Sequence, residues 1–163
     1  MAPNPVPAEN EPQSVPLTLV AFQRETATLP LLKTVLALIR DHFSYNRKLD
    51  PNLDQYIKAE ENGALRLFTV RQGDVLIGAA IFSVGPHPHF QSETVALQDL
   101  IYIQPDSPFH GMALIRFCHQ ELSKEKYDSI VFQTTNDPDI SALFVREGFK
   151  AVGAVYTKGE SWA

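Results

Sequence analysis

The run Val75–Val84, VLIGAAIFSV, constrains the fold more than any other stretch of the chain. It carries no charge and is apolar on both faces of an extended segment, so it reads as a central strand that must be covered from two sides. The tripeptide Gln72-Gly73-Asp74 joins it to the β-rich run Leu65–Arg71 and signals a hairpin. The covering layers are legible around it. Leu32, Val35, Leu36, Ile39 and Phe43 recur at helical spacing and predict a helix over Pro30–Tyr45. Asp50-Pro51 predicts the start of a second helix, with Asp as N-cap and Pro in the first turn, and Gly63 its end. Leu17–Phe22 reads as a first strand. Pro86 and Pro88 break the chain in a loop, after which Val95–Ile103 forms a strand stopped by Pro105. A helix over Pro108–Lys126 carries Leu114, Phe117, Cys118 and Leu122. Ser129–Thr135 is a strand, Asp137-Pro138 starts a helix that Gly148 stops, and Phe149–Thr157 supplies the last strand or strand pair. Strands that are first adjacent and then alternate with helices imply an α/β (α+β) fold with one mixed sheet and helices on both faces.

The 163 residues suit one domain. Residues 1–16 hold five of the twelve prolines among polar residues and read as a mobile tail, with a Pro-rich partner ligand as the alternative. Residues 17–163 form the domain. The single Cys118 excludes an intrachain disulfide and a Cys-rich zinc module. Fourteen Lys and Arg against nineteen Asp and Glu give a net charge of −5, which argues against nucleic-acid and acidic-membrane surfaces. The start MAPNPVPAENEPQSVP lacks a basic, apolar leader, and no later run reaches about 18 apolar residues, so a cytoplasmic protein is expected.

Three stretches carry a resemblance. IYIQPDSPFHGMALIRF, a strand, a Pro turn and a helix, resembles the acyl-CoA loop of the GNAT N-acetyltransferases. NDPDISALFVREGFKAVGAVYTKG resembles that family's closing helix, Gly-Phe turn and final strand, and GALRLFTVRQGDVLIGAAIFSVGPHPHF its central hairpin. The resemblance covers about residues 17–160, and the wording PHPHF, DLIYI, LIRF and VYTK is most similar to the GNAT proteins of tailed bacteriophages. It implies that acetyl-CoA binds between two splayed parallel strands, Val95–Ile103 and Ser129–Thr135. The pantetheine arm would then lie along Leu100, Ile101, Tyr102 and Ile103, where a free amide polarises the thioester carbonyl. The pyrophosphate would meet the amides of His110, Gly111, Met112 and Ala113. The acceptor implied is a small-molecule amine or a host protein, a host enzyme among the targets, with the chain a monomer or homodimer.

Two departures stand beside the resemblance. The family loop Q/R-x-x-G-x-G/A reads here Pro108-Phe109-His110-Gly111-Met112-Ala113. Gly111 and Ala113 match, but Pro108 has no N–H to offer and Phe109 brings bulk where glycine admits close approach. Ser107 capping a helix that starts at Pro108 is the plain reading. At the closing helix the family's proton-donating Tyr is Phe144, which also completes the apolar stripe Ile140, Leu143, Phe144 and so reads as core.

The catalytic candidates are Asp99 and His89. Asp99, inside the apolar LQDLIYI, can assist amine deprotonation through water or serve as a structural acceptor. His89, with His87, can act as a base, although a solvated loop is the plainer reading. His-x-His lacks a third metal ligand at any evident spacing, so no metal is assigned. His42 and His119 read as structural or surface groups and Cys118 as a packed thiol. Tyr127 and Tyr156 are the phenols available from elsewhere. Two functions stay open: an acetyl-CoA-dependent N-acetyltransferase with a degenerate CoA loop, or a weak or inactive GNAT-fold phage protein that binds and modulates a host enzyme.

Overall fold

A computed structural model of the protein describes residues 19–40, 50–106, 109–134 and 141–153. Five strands form one sheet in chain order: β1 (Val20–Glu25), β2 (Leu65–Gln72), β3 (Val75–His87), β4 (Phe90–Ile103) and β5 (Ser129–Val131). The first four are antiparallel neighbours, and β4 and β5 run parallel. Helices α1 (Leu29–Arg40) and α2 (Leu53–Glu61) cover one face, while α3 (Phe109–Lys124) covers the other. The expected mixed sheet with helices on both faces is therefore the observed fold. Among the described residues no helix is long and apolar enough to cross a membrane.

The period-2 alternation of the strands sorts their side chains between two cores. Leu65, Leu67, Ala79 and Ile81 meet Leu32, Val35 and Ile39 of α1 on one side. Phe68, Val70, Ile77, Ala80, Phe82 and Ala96 meet Leu114, Cys118 and Leu122 of α3 on the other. Phe68 and Phe82 are fully buried, and truncating either to alanine would cost about 3–5 kcal/mol. The β2–β3 hairpin closes through Gly73, whose φ of +60 at the first turn position is open to glycine and strained for most other residues.

The element boundaries differ from the sequence reading in ways that have physical causes. Helix α2 starts at Asn52, not Asp50, because the Asn52 side chain accepts from the Gln55 N–H at 3.2 Å and a start there sets Leu53, Tyr56 and Ile57 onto the core. It ends as expected at Gly63, φ +68, with Gly63 N–H bonded to Glu60 O and Ala64 N–H to Ala59 O. Pro86 and Pro88 do not break the chain into a loop. β2 begins at Leu65, opposite Ser83, so β3 beyond Ser83 has β4 as its one strand neighbour among the described residues and tolerates Pro86, while Pro88 and His89 form the turn of a long hairpin. β5 covers 129–131 rather than 129–135, and residues 149–153 are irregular rather than strand. Helix α4 (Ser141–Arg146) stops at Gly148, φ +89, with Phe149 N–H bonded to Phe144 O and the two rings 5.3 Å apart. The proposed caps at Ser107, Pro108 and Asp137-Pro138, and the end of the predicted last strand, lie outside the described residues, as does the tail.

Candidate active site at the wedge between β4 and β5

The sheet is closed at one end of the β4–β5 pair and open at the other. At the closed end the Asp128 carboxylate accepts from the backbone N–H of Thr94 at 2.7 Å and from its hydroxyl at 3.1 Å. Those hydrogen bonds hold the Asp128 carboxyl below the usual range. Three paired positions follow, Val95–Ser129, Ala96–Ile130 and Leu97–Val131, and the ladder stops.

The next residue explains the stop. Gln98 is 7% exposed, and its side chain takes the place of a peptide group. Its Nε2 donates to Gln133 O at 3.2 Å, and its Oε1 accepts from the Gln133 N–H at 3.3 Å. A side chain inserted where backbone would pair backbone holds the chains apart while satisfying the buried Gln98 amide. Beyond it, β4 runs on to Ile103 with no ladder on that side among the described residues. Leu100, Ile101, Tyr102 and Ile103 thus lie beyond the β4–β5 ladder, on the kind of strand edge to which an extended ligand pairs. Gly78 lets this edge lie close to β3: a Cβ there would meet Ile103 Cδ1 at 2.5 Å and Tyr102 O at 2.8 Å.

The opposite side of β4 is irregular at the same place. Ile81 pairs with Leu100 and Phe82 with Gln98, which leaves Asp99 as an extra residue. Such a β-bulge frees the extra residue from the ladder and re-aims its side chain. Asp99, the residue after the Gln98 brace, therefore has no β3 partner, and its side chain is exposed. The Tyr56 hydroxyl of α2 donates to Asp99 Oδ2 at 2.6 Å. Burial first, then the hydrogen bond and charge of Asp99, push the Tyr56 phenol well above its ordinary value, so it stays protonated. Sequence reasoning missed Tyr56. Its i, i+3, i+4 stripe with Leu53 and Ile57 marks it as facing the core, but nothing local says that its hydroxyl reaches β4.

His110, Gly111, Met112 and Ala113 occupy the first turns of α3, where the leading N–H groups have no intrahelical acceptor. Gly111 lies beside Ile103, with room for a Cβ at 3.6 Å from Ile103 Cγ2, so this end of α3 sits next to the end of β4. His110 Nδ1 is buried and has no hydrogen-bond partner among the described residues.

Other sequence candidates fall elsewhere. His89 is at the tip of the β3–β4 hairpin, where its N–H bonds His87 Nδ1 at 3.1 Å. From there to Asp99 is roughly 30 Å of extended strand, so the two are not brought together. Among the described residues no three His, Cys, Asp or Glu side chains converge as metal ligands would. Phe144 is 7% exposed and lies among Phe132 (5.5 Å) and Phe149 (5.3 Å). Tyr127 is occupied with Glu125 at 2.8 Å. His119 is exposed and edge-on to Phe149 at 5.4 Å. Cys118 is fully buried, and burial pushes its thiol far above the usual value, which keeps it an inert packed group. His42 and Tyr156 lie outside the described residues.

No family model matches the sequence, and no curated protein matches it. Solved structures do. An aminoglycoside acetyltransferase from an uncultured soil metagenomic sample, in complex with sisomicin, is 15% identical with a TM-score of 0.66, over 86% of this chain and 97% of that one. The ribosomal-protein-alanine N-acetyltransferase of Brucella melitensis biovar Abortus 2308 is 17% identical with a TM-score of 0.64, over 86% and 99%. A predicted acetyltransferase of Clostridium acetobutylicum, solved with acetyl-CoA, is 13% identical with a TM-score of 0.64, over 86% and 96%. At these identities the likeness is one of fold: the chain has the fold of the GNAT acetyltransferases.

Proposed function

We propose that this chain, built on the GNAT fold, transfers an acetyl group from acetyl-CoA to the nitrogen of a cationic amine. One observation carries the reading: the Gln98 brace and the Asp99 bulge are adjacent on β4, so the end of the β5 ladder, a residue without a β3 partner and a carboxylate lie side by side on one strand. The residues fit the cosubstrate. The edge Leu100–Ile103 takes the pantetheine arm through backbone hydrogen bonds, and the first amides of α3, those of His110 and Gly111 foremost, take the pyrophosphate, beside His110 Nδ1, which has no hydrogen-bond partner among the described residues.

Chemically, the amine must lose a proton before it attacks. Asp99 attracts the ammonium form and accepts that proton, directly or through one water. The nitrogen then bonds to the thioester carbon and the carbon–sulfur bond breaks. The peptide N–H at the bulge donates to the carbonyl oxygen as negative charge develops there. The leaving thiolate takes its proton from solvent, since Phe144 has no hydroxyl to give. Thiolate is a good leaving group, and Phe144 is packed in an aromatic cluster, so the transfer proceeds without a side-chain acid.

Phe144 also supports a second reading, a protein that keeps the fold but binds a partner without transfer; with the phage resemblance, that partner is a host enzyme in the bacterial cytoplasm. Calorimetry with acetyl-CoA, followed by thiol release over aminoglycosides, polyamines and peptide N-termini, separates the two. Micromolar binding with release on at least one amine is expected. Absence of acetyl-CoA binding, or binding without release on any amine, would overturn transfer.

A further inference from the structure

Tyr56 is a side chain the chemistry above does not use, yet it is tied to the one group that chemistry depends on. Helix α2 is fixed at both ends, by the Asn52 cap and the Gly63 turn, and the partly buried Leu53, Tyr56 and Ile57 rest on the same core cluster as Leu100 and Tyr102 of β4. The ring is thereby anchored and its hydroxyl reaches Asp99 Oδ2 at 2.6 Å, a distance typical of a hydrogen bond to a charged acceptor. Among the described residues Asp99 Oδ1 carries no hydrogen bond, and the carboxylate makes no ion pair. A lone carboxylate on a bulge would otherwise rotate freely.

We propose that Tyr56 is the positioning residue for Asp99: it clamps Oδ2 and leaves Oδ1 as the oxygen presented to the amine or to its water. The inference rests on the transfer reading. A phenol suits the task because it holds the carboxylate without supplying a positive charge, so the group keeps its negative charge for a cationic acceptor. A displacement of about 1 Å at such a group costs on the order of a hundredfold in rate.

The test uses the full chain and three variants, Tyr56→Phe, Asp99→Asn and the double variant. Phenylalanine keeps the packed ring and removes the clamp alone. Tyr56→Phe is expected to leave the acetyl-CoA Kd within twofold by calorimetry, and the KM for acetyl-CoA within twofold, while kcat falls at least tenfold. In the Asp99→Asn background, adding Tyr56→Phe is expected to change kcat less than twofold, because the clamp acts through the carboxylate. A Tyr56→Phe enzyme with wild-type kcat, or full additivity in the double variant, overturns the proposal while transfer stands. A rise in the acetyl-CoA Kd that accounts for the whole loss of activity also overturns it, by showing a packing role. Wild-type chain that binds acetyl-CoA but releases no thiol with any amine overturns the transfer reading, and this inference with it.

Discussion

Among the described residues, two tyrosine–carboxylate pairs are alike in chemistry and opposite in use. In one, Tyr127 donates to Glu125 at 2.8 Å; in the other, Tyr56 donates to Asp99 at 2.6 Å. Glu125 is also gripped by Arg66, through Nε at 2.9 Å and Nη2 at 2.6 Å, and by Arg24 at 2.7 Å. Both of its oxygens are taken, and the Arg66 hydrogen bonds foremost hold its carboxyl below the usual range. The result fastens β1, β2 and the end of α3 together. Asp99 has the phenol and an open oxygen. Two guanidiniums turn a carboxylate into a fastener; without them the same pair is left with an oxygen that can take a proton.

The contrast can be broken most directly at Asp99. Asp99→Asn should lower turnover at least a hundredfold, about 2.7 kcal/mol of barrier, while the melting temperature stays within about 2 °C. Thiol-release kinetics and a thermal melt check this, and an Asn variant that turns over normally would make both pairs structural. Next is the brace that opens the wedge. Gln98→Leu removes both hydrogen bonds to Gln133 and leaves its N–H and carbonyl to solvent, which should cost about 0.5–1.5 kcal/mol. Amide hydrogen exchange at Gln133 should speed up, and acetyl-CoA binding should weaken as the wedge loses its width.

The fastener should behave in the reverse sense to Asp99. Glu125→Gln should cost about 1 kcal/mol of stability, the low end for a partly exposed ion-pair network, and leave kcat unchanged. Its pH dependence has a definite sign. A carboxyl lowered in the folded state adds stability above its ordinary range, near pH 4.5 for Glu, and that contribution is lost as pH falls through the lowered folded value. Urea midpoints measured from pH 7 down to pH 3 should therefore fall more for the wild type than for Glu125→Gln. The smallest effect is expected at Phe144→Tyr. The added hydroxyl enters the edge of an aromatic cluster, so turnover should stay within about threefold and stability within about 1 kcal/mol. A tenfold gain in turnover would instead place α4 over the reacting atoms and show that thiolate protonation limits the rate.

Much of the framework is local physics and was legible in the residues. Val75–Val84 announces a strand with a core on each side, Gly73 a tight hairpin, Gly63 and Gly148 the ends of two helices. The stripe of Leu32, Val35, Leu36 and Ile39 announces the helix that covers one face. In each case the cause lies within a few residues: a repeat of 2 or 3.6, or a backbone angle that favours glycine. The resemblance to the GNAT enzymes rested on segments of that kind, and Asp99 was singled out because a carboxylate in an apolar strand must meet something.

What it meets was decided by the tertiary structure. Tyr56 and Asp99 are 43 residues apart, and Gln98 and Gln133 are 35 apart. The bulge that frees Asp99 exists only in the register between β3 and β4, and the hairpin runs past Pro86 only because β2 does not extend beside it. Periodicity records which face a residue buries. It carries no information about which atom on a distant element will stand 2.6 Å away, because that is fixed by how two finished elements lie on each other.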